Sequence, residues 1–235
     1  MYSYSSIKDF KQCPKLFYEK RIAKSVKFVQ SAAQKRGERM HKAFEEFVRD
    51  GTPLPTECVM HEPVLKQLLE FDGAAMPELA MAVDALGNPV PYYDPDTPDP
   101  KPWNFNKAAH IGGIADLVLA NTEHTEAVYV DYKTGKGNYP DIEQCELMAV
   151  LIMANMPWVQ TVSTGLLFVD AGKFITETYK REDFDQLFDN WLKSIERIEY
   201  AKTSGVWQAR PNNLCGWCAV TNCDERNQNE HSQRA

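Results

Sequence analysis

The stretch 126–137, EAVYVDYKTGKG, carries the clearest indication of fold in this sequence. Its run of valine and tyrosine is typical of a buried β-strand. The strand ends in Asp131, and Lys133 follows two positions later. Because side chains alternate across a strand, Asp131 and Lys133 project from the same face. The stretch therefore predicts a strand whose end carries a carboxylate and an ammonium group, a pair that by itself also fits a salt bridge at the surface.

A second apolar segment, 110–120 (HIGGIADLVLA), precedes this strand and is separated from it by the polar residues NTEHT. The two segments predict an antiparallel hairpin in which Asp116 lies close to Asp131. Two neighbouring carboxylates repel each other, and a divalent cation between them allows both to stay ionised. Oxygen ligands favour Mg²⁺ or Mn²⁺. The hairpin thus predicts a metal site, with Lys133 placed to hold an attacking water or to neutralise charge on a phosphate.

The overall composition is that of an ordinary globular protein. The 235 residues are 43% hydrophobic and 25% charged, which suffices for one sizeable core and a small second module. The sequence shows no run of 18 apolar residues and no basic-then-apolar leader, so we expect neither a membrane span nor secretion. The expected location is cytoplasmic. No G-x-x-x-x-G-K-[ST] loop occurs, so we expect no nucleotide-driven motor in this chain.

Positive charge is concentrated near the start of the chain. Between Lys8 and Lys42 there are eleven Lys or Arg and three Asp or Glu, a balance of +8, whereas the whole chain carries −7. The remaining residues therefore carry −15. A basic segment on an acidic protein fits phosphate binding at one surface, although a solvated basic helix produces the same pattern.

The spacing of the six cysteines favours a metal site over disulfides. Cys215, Cys218 and Cys223 fall within nine residues, CGWCAVTNC, and Cys13 lies about two hundred residues earlier in KQCPKLF. In a reducing compartment, closely spaced thiols usually hold a metal. Four thiolates suit Zn²⁺ or a [4Fe–4S] cluster. One lone cysteine with a group of three is more typical of the cluster than of the two close pairs of a zinc site.

Hydrophobic periodicity and turn residues divide the chain into helices and strands. The opening residues predict a helix capped by Ser5 or Ser6, a break at Cys13 before Pro14, and a second short helix. Further helices are predicted at 32–51, 62–72, 141–155 and 182–205, strands at 78–86, 110–120, 126–132 and within 161–180, and a loop with six prolines at 87–107. This order predicts an α/β (α+β) fold with a mixed central sheet flanked by helices.

Several motifs resemble the PD-(D/E)XK nuclease superfamily, and within it the RecB-like branch whose members carry an iron–sulfur cluster. The opening SYSSIKDFKQCPKLFYEKRI is similar to the start of that branch, which includes AddB-type helicase–nucleases, CRISPR-adaptation nucleases, and phage or cellular exonucleases. GERMH matches its G-x-x-x-H helix, GGIAD its G-x-x-D strand, VDYKTGK its D-x-K strand, and CGWCAVTNC its closing cysteines. The resemblance covers nearly the whole chain.

The resemblance implies a role for each matched residue. The implied ligands of Mg²⁺ or Mn²⁺ are His41, Asp116, Asp131 and the backbone carbonyl of Tyr132. The implied catalytic residues are Asp116, Asp131, Lys133 and Gln144, with the lysine positioning or polarising water. The implied ligands of a [4Fe–4S] cluster, or alternatively of Zn²⁺, are Cys13, Cys215, Cys218 and Cys223.

One motif departs from the family pattern. The family often has Q-x-x-x-Y on the helix after the lysine strand; here Gln144 is present, but Met148 stands where the tyrosine is expected. Gln144 is still predicted to contact DNA or a metal-bound water. The cysteine spacing, with two and then four intervening residues, is also shorter than the two and five or six expected. Glu78 and Glu143 are further candidates for a water-mediated ligand.

The resemblance also implies an architecture and a function. A restriction-endonuclease-like nuclease domain would span 1–235, with 1–30 and 206–225 forming an iron–sulfur subdomain and 226–235 a flexible tail. The implied activity is metal-dependent hydrolysis of DNA, as an exonuclease on single-stranded ends in recombination, repair or phage DNA metabolism, alone or with a helicase or recombination partner. Candidate DNA contacts are Lys136, Tyr4 and Trp217, the aromatic pair by base stacking.

Two other classes of protein fit parts of this pattern. A catalytically silent DNA-binding protein would keep the fold and the cluster. An electron carrier would use the cluster for redox chemistry, but it has no use for a D-x-K strand. The intact acidic motifs favour the nuclease over both.

Overall fold

The chain forms two compact units in a computed structural model that describes residues 1–27, 30–97, 104–121, 123, 125–138 and 140–226. The first unit comprises Met1 and Gln30–Asp189, and the second comprises Tyr2–Val29 with Asn190–Ala235. The predicted tail, 226–235, lies outside the described residues from 227 onward. In the described part of the chain, no helix has both the length and the apolar character needed to cross a membrane.

A mixed β-sheet forms the centre of the first unit, and its described residues show six strands in the order β2-β1-β3-β4-β5-β6. The strands are β1 (Ala74–Val83), β2 (Pro89–Val90), β3 (Ile111–Asn121), β4 (Glu126–Lys133), β5 (Thr161–Phe168) and β6 (Lys173–Lys180). β4 and β5 are parallel, and all other neighbours are antiparallel. A parallel pair needs a long crossover connection, and helix α5 (Glu143–Asn155) lies within it. The predicted mixed sheet flanked by helices is confirmed.

The predicted hairpin is formed by β3 and β4. Their register aligns Leu117 with Val130, so Asp116 and Asp131 lie side by side one position further along. Both strands are buried over most of their length, as their apolar runs predict. The hairpin therefore carries two acidic residues into an otherwise apolar part of the sheet.

Helix α3 (Ala32–Asp50) covers one face of this hairpin. Ser31 begins it with a capping box to Gln34, and Gly51 ends it in the left-handed conformation, at a φ of 68°. The buried side chains of Met40 and Phe44 join the core that contains Leu117, Val130 and Tyr132. Since His41 is adjacent to Met40, burying this helix face brings the histidine to the sheet.

Two other helices complete the first unit. The short helix α4 (Glu62–Leu68) is N-terminal to β1 and packs through Leu65 into the same core. Helix α5 is buried on nearly every side, with eight of its 13 residues buried, as its apolar sequence predicts. It ends at Asn155, before Pro157 as expected.

The proline-rich segment 87–107 differs in part from the predicted loop. It contains the short edge strand β2, which pairs with the end of β1, and an isolated bridge between Tyr93 and Phe105. The β1–β2 pairing forms because Asp84 and its neighbours make a tight turn that folds the chain back on β1. Residues 98–103 lie outside the described part of the chain.

The second unit is built from both ends of the sequence. Helices α1 (Tyr4–Gln12) and α2 (Pro14–Phe17) are separated by Cys13, as Pro14 predicts. The capping residue of α1 is Ser3, not the predicted Ser5 or Ser6, because the Ser3 hydroxyl accepts from the Ser6 amide and the two form a capping box. A π-helical turn, Tyr18–Ile22, follows α2.

The later part of the second unit packs aromatic side chains against these helices. The unit includes the portion of helix α6 (Phe184–Ser204) from Asn190 onward. Trp207 stacks on Phe17 with ring centroids 5.8 Å apart and also contacts Phe10 and Tyr18. A short 3₁₀ turn, Cys215–Trp217, carries the first of the closing cysteines and an exposed tryptophan.

Candidate active site

The antiparallel pairing of β3 and β4 positions the first carboxylate. Asp116 accepts a hydrogen bond at Oδ2 from the backbone amide of Tyr132, at 2.8 Å. Its other oxygen, Oδ1, lies 3.3 Å from Nδ1 of His41. The position of Asp116 is thus set by the backbone of the neighbouring strand and by a side chain from α3.

His41 is held between this carboxylate and a main-chain carbonyl. Its Nε2 donates to the carbonyl oxygen of Tyr132 at 2.8 Å, while Nδ1 faces Asp116. Burial lowers the pKa of the imidazole, but the hydrogen bond and charge of Asp116 raise it more, helped by the charge of Asp131, and the net pKa lies above the usual value. The two carboxylates therefore favour the protonated imidazole over the neutral one.

Glu78 of β1 completes a group of three potential metal ligands. One ligand atom each from His41, Glu78 and Asp116 lies within 4.8 Å of the other two. Glu78 has a φ of 50°, a left-handed conformation that is costly for a residue other than glycine. Loss of solvent around its carboxyl and the charge of Asp116 raise its pKa. The unusual backbone aims an acidic side chain at the other two ligands.

A second cluster lies at the end of β4. The Lys133 ammonium is 2.5 Å from Oδ2 of Asp131 and donates to Oε1 of Gln144 at 3.1 Å. Gln144 in turn donates from Nε2 to Oδ1 of Asp131 at 2.7 Å. The hydroxyl of Tyr129 donates to the same oxygen at 3.2 Å. Asp131, Lys133 and Gln144 therefore form a closed ring of polar contacts.

Asp131 is the most deeply buried acidic side chain of this site, with 3% of its surface exposed. Burial raises its pKa, and the nearby charge of Asp116 raises it further, whereas Lys133 lowers it; the result is a pKa of about 6. Its Oδ2 is paired with the Lys133 ammonium at 2.5 Å. A metal ion at this oxygen would therefore compete with the lysine.

The structure places the predicted residues in two groups, His41 with Asp116 in one and Asp131 with Lys133 and Gln144 in the other. Asp131 was predicted to bind the same metal ion as His41 and Asp116, but the close trio contains Glu78, predicted only as a water-mediated ligand, in its place. The structure also adds Tyr129, which was not predicted from the sequence, although Tyr129 and Asp131 alternate on one strand and so share a face. Glu143 lies in the first turn of α5 and is not part of the trio.

Met148, which stands where the family has tyrosine, is buried and takes no part in the polar cluster. A Cβ built on Gly113 would lie 2.9 Å from its sulfur, so the thioether packs directly on the backbone of β3. The flexible methionine fills this narrow space.

The four cysteines of the predicted cluster lie in the second unit and line one cavity of about 20 Å³. None of them forms a disulfide, and each is partly exposed. The sulfur of Cys13 accepts from the backbone amide of Arg210 at 3.3 Å, and that of Cys215 from the amide of Asn212, also at 3.3 Å. Amide donors aimed at sulfur stabilise thiolates.

The predicted DNA-contacting residues lie in different surroundings. Lys136 is exposed in the loop after β4. Tyr4 packs edge-to-face against Trp191, with ring centroids 6.1 Å apart. Trp217 is 73% exposed.

Comparisons with known proteins identify relatives of this fold. A model of the PD-(D/E)XK nuclease superfamily matches residues 1–223. The chain is similar to the solved structure of a putative exonuclease from Eubacterium rectale, at 10% identity and a TM-score of 0.51, over 97% of this chain and 87% of that one. No curated protein matches the sequence.

Two further solved structures show weaker similarity. The structure of SSO0001 matches at 16% identity and a TM-score of 0.47, over 94% of this chain and 85% of that one. LHK-Exo in complex with dAMP matches at 12% identity and a TM-score of 0.37, over 86% of this chain and 92% of that one. At such low sequence identities, structural similarity is evidence for the fold alone.

Proposed function

Because this chain belongs to the PD-(D/E)XK nuclease superfamily, we propose that it is a Mg²⁺- or Mn²⁺-dependent deoxyribonuclease. The observation that carries the proposal is that Asp116 and Asp131 lie side by side on β3 and β4, with His41 against Asp116 and Lys133 against Asp131. This arrangement gives a phosphodiester a charged, partly buried site with both acidic and basic groups.

The donor atoms suit a hard divalent cation. His41, Glu78 and Asp116 offer one nitrogen and two carboxylate oxygens in close proximity, and Asp131 adds a buried carboxylate whose Oδ2 pairs with the Lys133 ammonium. Such oxygen-rich sets favour Mg²⁺ or Mn²⁺ over softer metals. When bound, the ion supplies charge to the phosphate and lowers the pKa of a water ligand. The carbonyl of Tyr132 stays a predicted further ligand.

The protein residues orient the reacting groups around this site. Gln144 and Asp131 fix the Lys133 ammonium from two sides, which leaves its remaining donor free to hold a water or a phosphate oxygen. The amide of Tyr132 fixes the carboxylate of Asp116. These contacts keep the lysine and the acids in one geometry before substrate arrives, which is the main protein contribution to such catalysis.

We propose single-stranded DNA ends as the substrate. The exposed Lys136 would contact a phosphate and the exposed Trp217 a base, and Tyr4 stays a predicted contact. The similarity to a putative exonuclease from Eubacterium rectale is in keeping with end-directed cleavage. Since the sequence shows no nucleotide-binding loop, the chain would act on single strands either alone or with a separate helicase or recombination protein.

Digestion of end-labelled DNA tests the activity. We expect the wild type with Mg²⁺ or Mn²⁺ to shorten a linear single strand, and Asp131→Ala or Lys133→Ala to reduce the rate by about a hundredfold or more. A circular single strand distinguishes the modes of cutting, since an exonuclease leaves it intact.

Lys66→Ala is the matched control, because Lys66 is an exposed lysine of α4 that pairs only with Glu62 among the contacts described. It should keep the wild-type rate. Wild-type protein that binds DNA but never shortens it would contradict the nuclease and support the silent DNA-binding alternative.

We further propose that Cys13, Cys215, Cys218 and Cys223 hold a [4Fe–4S] cluster in a subdomain of residues 1–30 and 206–225. The four cysteines line one cavity and two of their sulfurs accept from backbone amides, an arrangement that suits a shared Cys₄ metal site. The free state of all six cysteines suits the reducing, intracellular location we propose.

The arrangement of the cysteines along the chain favours the cluster over zinc, because one lone cysteine with a group of three is less typical of a zinc site than two close pairs.

A further inference from the structure

A groove of about 800 Å³ lies in the second unit beside the cavity of the cysteines, with which it shares Cys218, and Trp217, proposed above as a base contact, also lines it. It is lined on one side by residues of the N-terminal segment and on the other by the closing segment that includes Trp217. Its volume falls within the range of about 300 to 1,000 Å³ that is typical of ligand sites. The two sides differ in chemistry, and the difference points to one class of ligand.

The N-terminal side is positively charged. Lys20 and Arg21 contact the buried carboxylate of Asp9 at 2.9 and 2.7 Å, so two cations share one anion. Lys27 is exposed and has no ion-pair partner among the described residues. The groove therefore presents excess positive charge on a chain whose net charge is −7. Such a local excess attracts polyanions.

The closing side presents an aromatic face. Trp217 is 73% exposed, whereas Trp191 is 2% exposed and Trp207 stacks on Phe17. The side chain of Trp217 stands at the edge of the groove on the Cys215–Trp217 turn. Leaving an indole in water has a hydrophobic cost, and stacking on a planar ligand would remove it.

We infer that this groove binds a single-stranded nucleic acid segment, with a base stacked on Trp217 and the backbone phosphates paired with Lys27, Lys20 and Arg21. An aromatic platform beside a cationic wall is the recurring arrangement for unpaired strands, because the bases of a duplex have no free faces to stack. The expectation that this ligand is the substrate strand rests on the proposed function. Binding itself requires neither the carboxylates of the first unit nor a divalent metal.

The test measures binding of a fluorescein-labelled 15-nucleotide oligo(dT) by anisotropy, with no divalent metal added. We expect Trp217→Ala to weaken binding about tenfold and Trp217→Phe to keep most of it, since any aromatic ring can stack. Lys27→Glu should weaken binding and reduce its salt dependence by the loss of a phosphate contact. A blunt duplex of equal length should bind less tightly than the single strand.

The matched controls are Trp158→Ala and Lys66→Glu, which change an exposed tryptophan and an exposed lysine of the first unit. They should bind as the wild type does. Equal losses in the controls, wild-type affinity in Trp217→Ala or in Lys27→Glu, or tighter binding to anionic lipid vesicles than to the oligonucleotide would each overturn the inference. If the wild type cleaves DNA and Trp217→Ala binds the oligonucleotide with unchanged affinity, the proposed nuclease activity is retained and only the groove is rejected. If Trp217→Ala loses binding and the wild type cleaves no DNA, the groove is supported and the proposed nuclease activity is rejected.

Discussion

Asp131 is a buried acid whose ionised form the protein stabilises only in part. Three groups contact it, the Lys133 ammonium, the Gln144 amide and the Tyr129 hydroxyl, yet burial and Asp116 still raise its pKa to about 6. A buried carboxylate whose ionised form is only partly stabilised by its neighbours gains more free energy from binding a cation than a well-stabilised carboxylate does. The same features that reduce the stability of the protein without metal therefore favour metal binding.

This balance predicts how stability depends on pH. Because the pKa of Asp131 in the folded protein lies above its usual value of 3.8, its ionisation costs stability as pH rises from about 4 to above 6. Asp131→Asn removes that cost. We expect the metal-free variant to gain about 3 kcal/mol over the wild type between pH 4 and pH 7, measured by urea unfolding.

Asp170→Asn is a control with the opposite sign. The hydrogen bond from Arg36 lowers the pKa of Asp170, so its ionised form stabilises the folded protein above the unfolded pKa. This variant should lose stability relative to the wild type as pH rises from 3 to 6. A stability difference between Asp131→Asn and wild type that stays constant across pH would contradict the raised pKa.

At the scale of elements, the site depends on how closely β3 approaches α5. Gly113 allows this approach, because a Cβ there would lie 2.9 Å from the sulfur of Met148 and 3.3 Å from Cδ1 of Leu151. Gln144 is one turn earlier on the same helix, so this contact also sets its distance from Asp131. The glycine and the methionine are therefore packing partners.

A double-mutant cycle tests this partnership. Gly113→Ala should overpack the contact and cost about 1 to 3 kcal/mol, and Met148→Ala should leave a cavity and cost about 2 to 5 kcal/mol. Combined, they should cost less than the sum by more than about 0.5 kcal/mol, because the new methyl group fills part of the cavity. Urea unfolding measures all three.

Gly135→Ala is the neutral control, since a Cβ there would contact nothing within 4 Å. Strict additivity of Gly113→Ala and Met148→Ala would show that the two residues do not share the space the structure assigns to them.

At the scale of the whole molecule, the second unit is assembled from the two ends of the chain. Cys13 and the closing cysteines are about two hundred residues apart in sequence. A cluster bound to both would close that loop in the unfolded chain and, by chain-entropy arguments, stabilise the folded protein by about 5 kcal/mol. The proposed cluster thus has a mechanical role that does not depend on redox chemistry.

Cys13→Ala tests this role. We expect loss of bound iron and sulfide, loss of the brown colour, and a fall of several kcal/mol in unfolding free energy. Cys145→Ala, which changes a buried cysteine of α5 in the first unit, should keep its iron. One zinc per wild-type chain in place of iron would favour the alternative metal, and full iron content in Cys13→Ala would remove Cys13 from the ligands.

Much of the architecture could be predicted from the sequence because its signals are local. The hairpin of β3 and β4, the break at Cys13 and the end of α3 at Gly51 each follow from residues adjacent to them. The shared face of Asp131 and Lys133 follows from strand alternation alone. Ser3 was missed as the cap of α1 because three neighbouring serines compete for that role and only the final backbone geometry selects one.

The tertiary structure alone decided which distant side chains meet. Glu78 joins His41 and Asp116 because β1 pairs with β3 and turns its backbone to a φ of 50°, and no local pattern encodes that conformation. The hydroxyl of Tyr129 reaches Gln144 because β4 packs under α5. The sequence determined the chemical groups and their faces, since these depend on neighbours along the chain; their distances and pKa values depend on burial and on charges that only folding brings together.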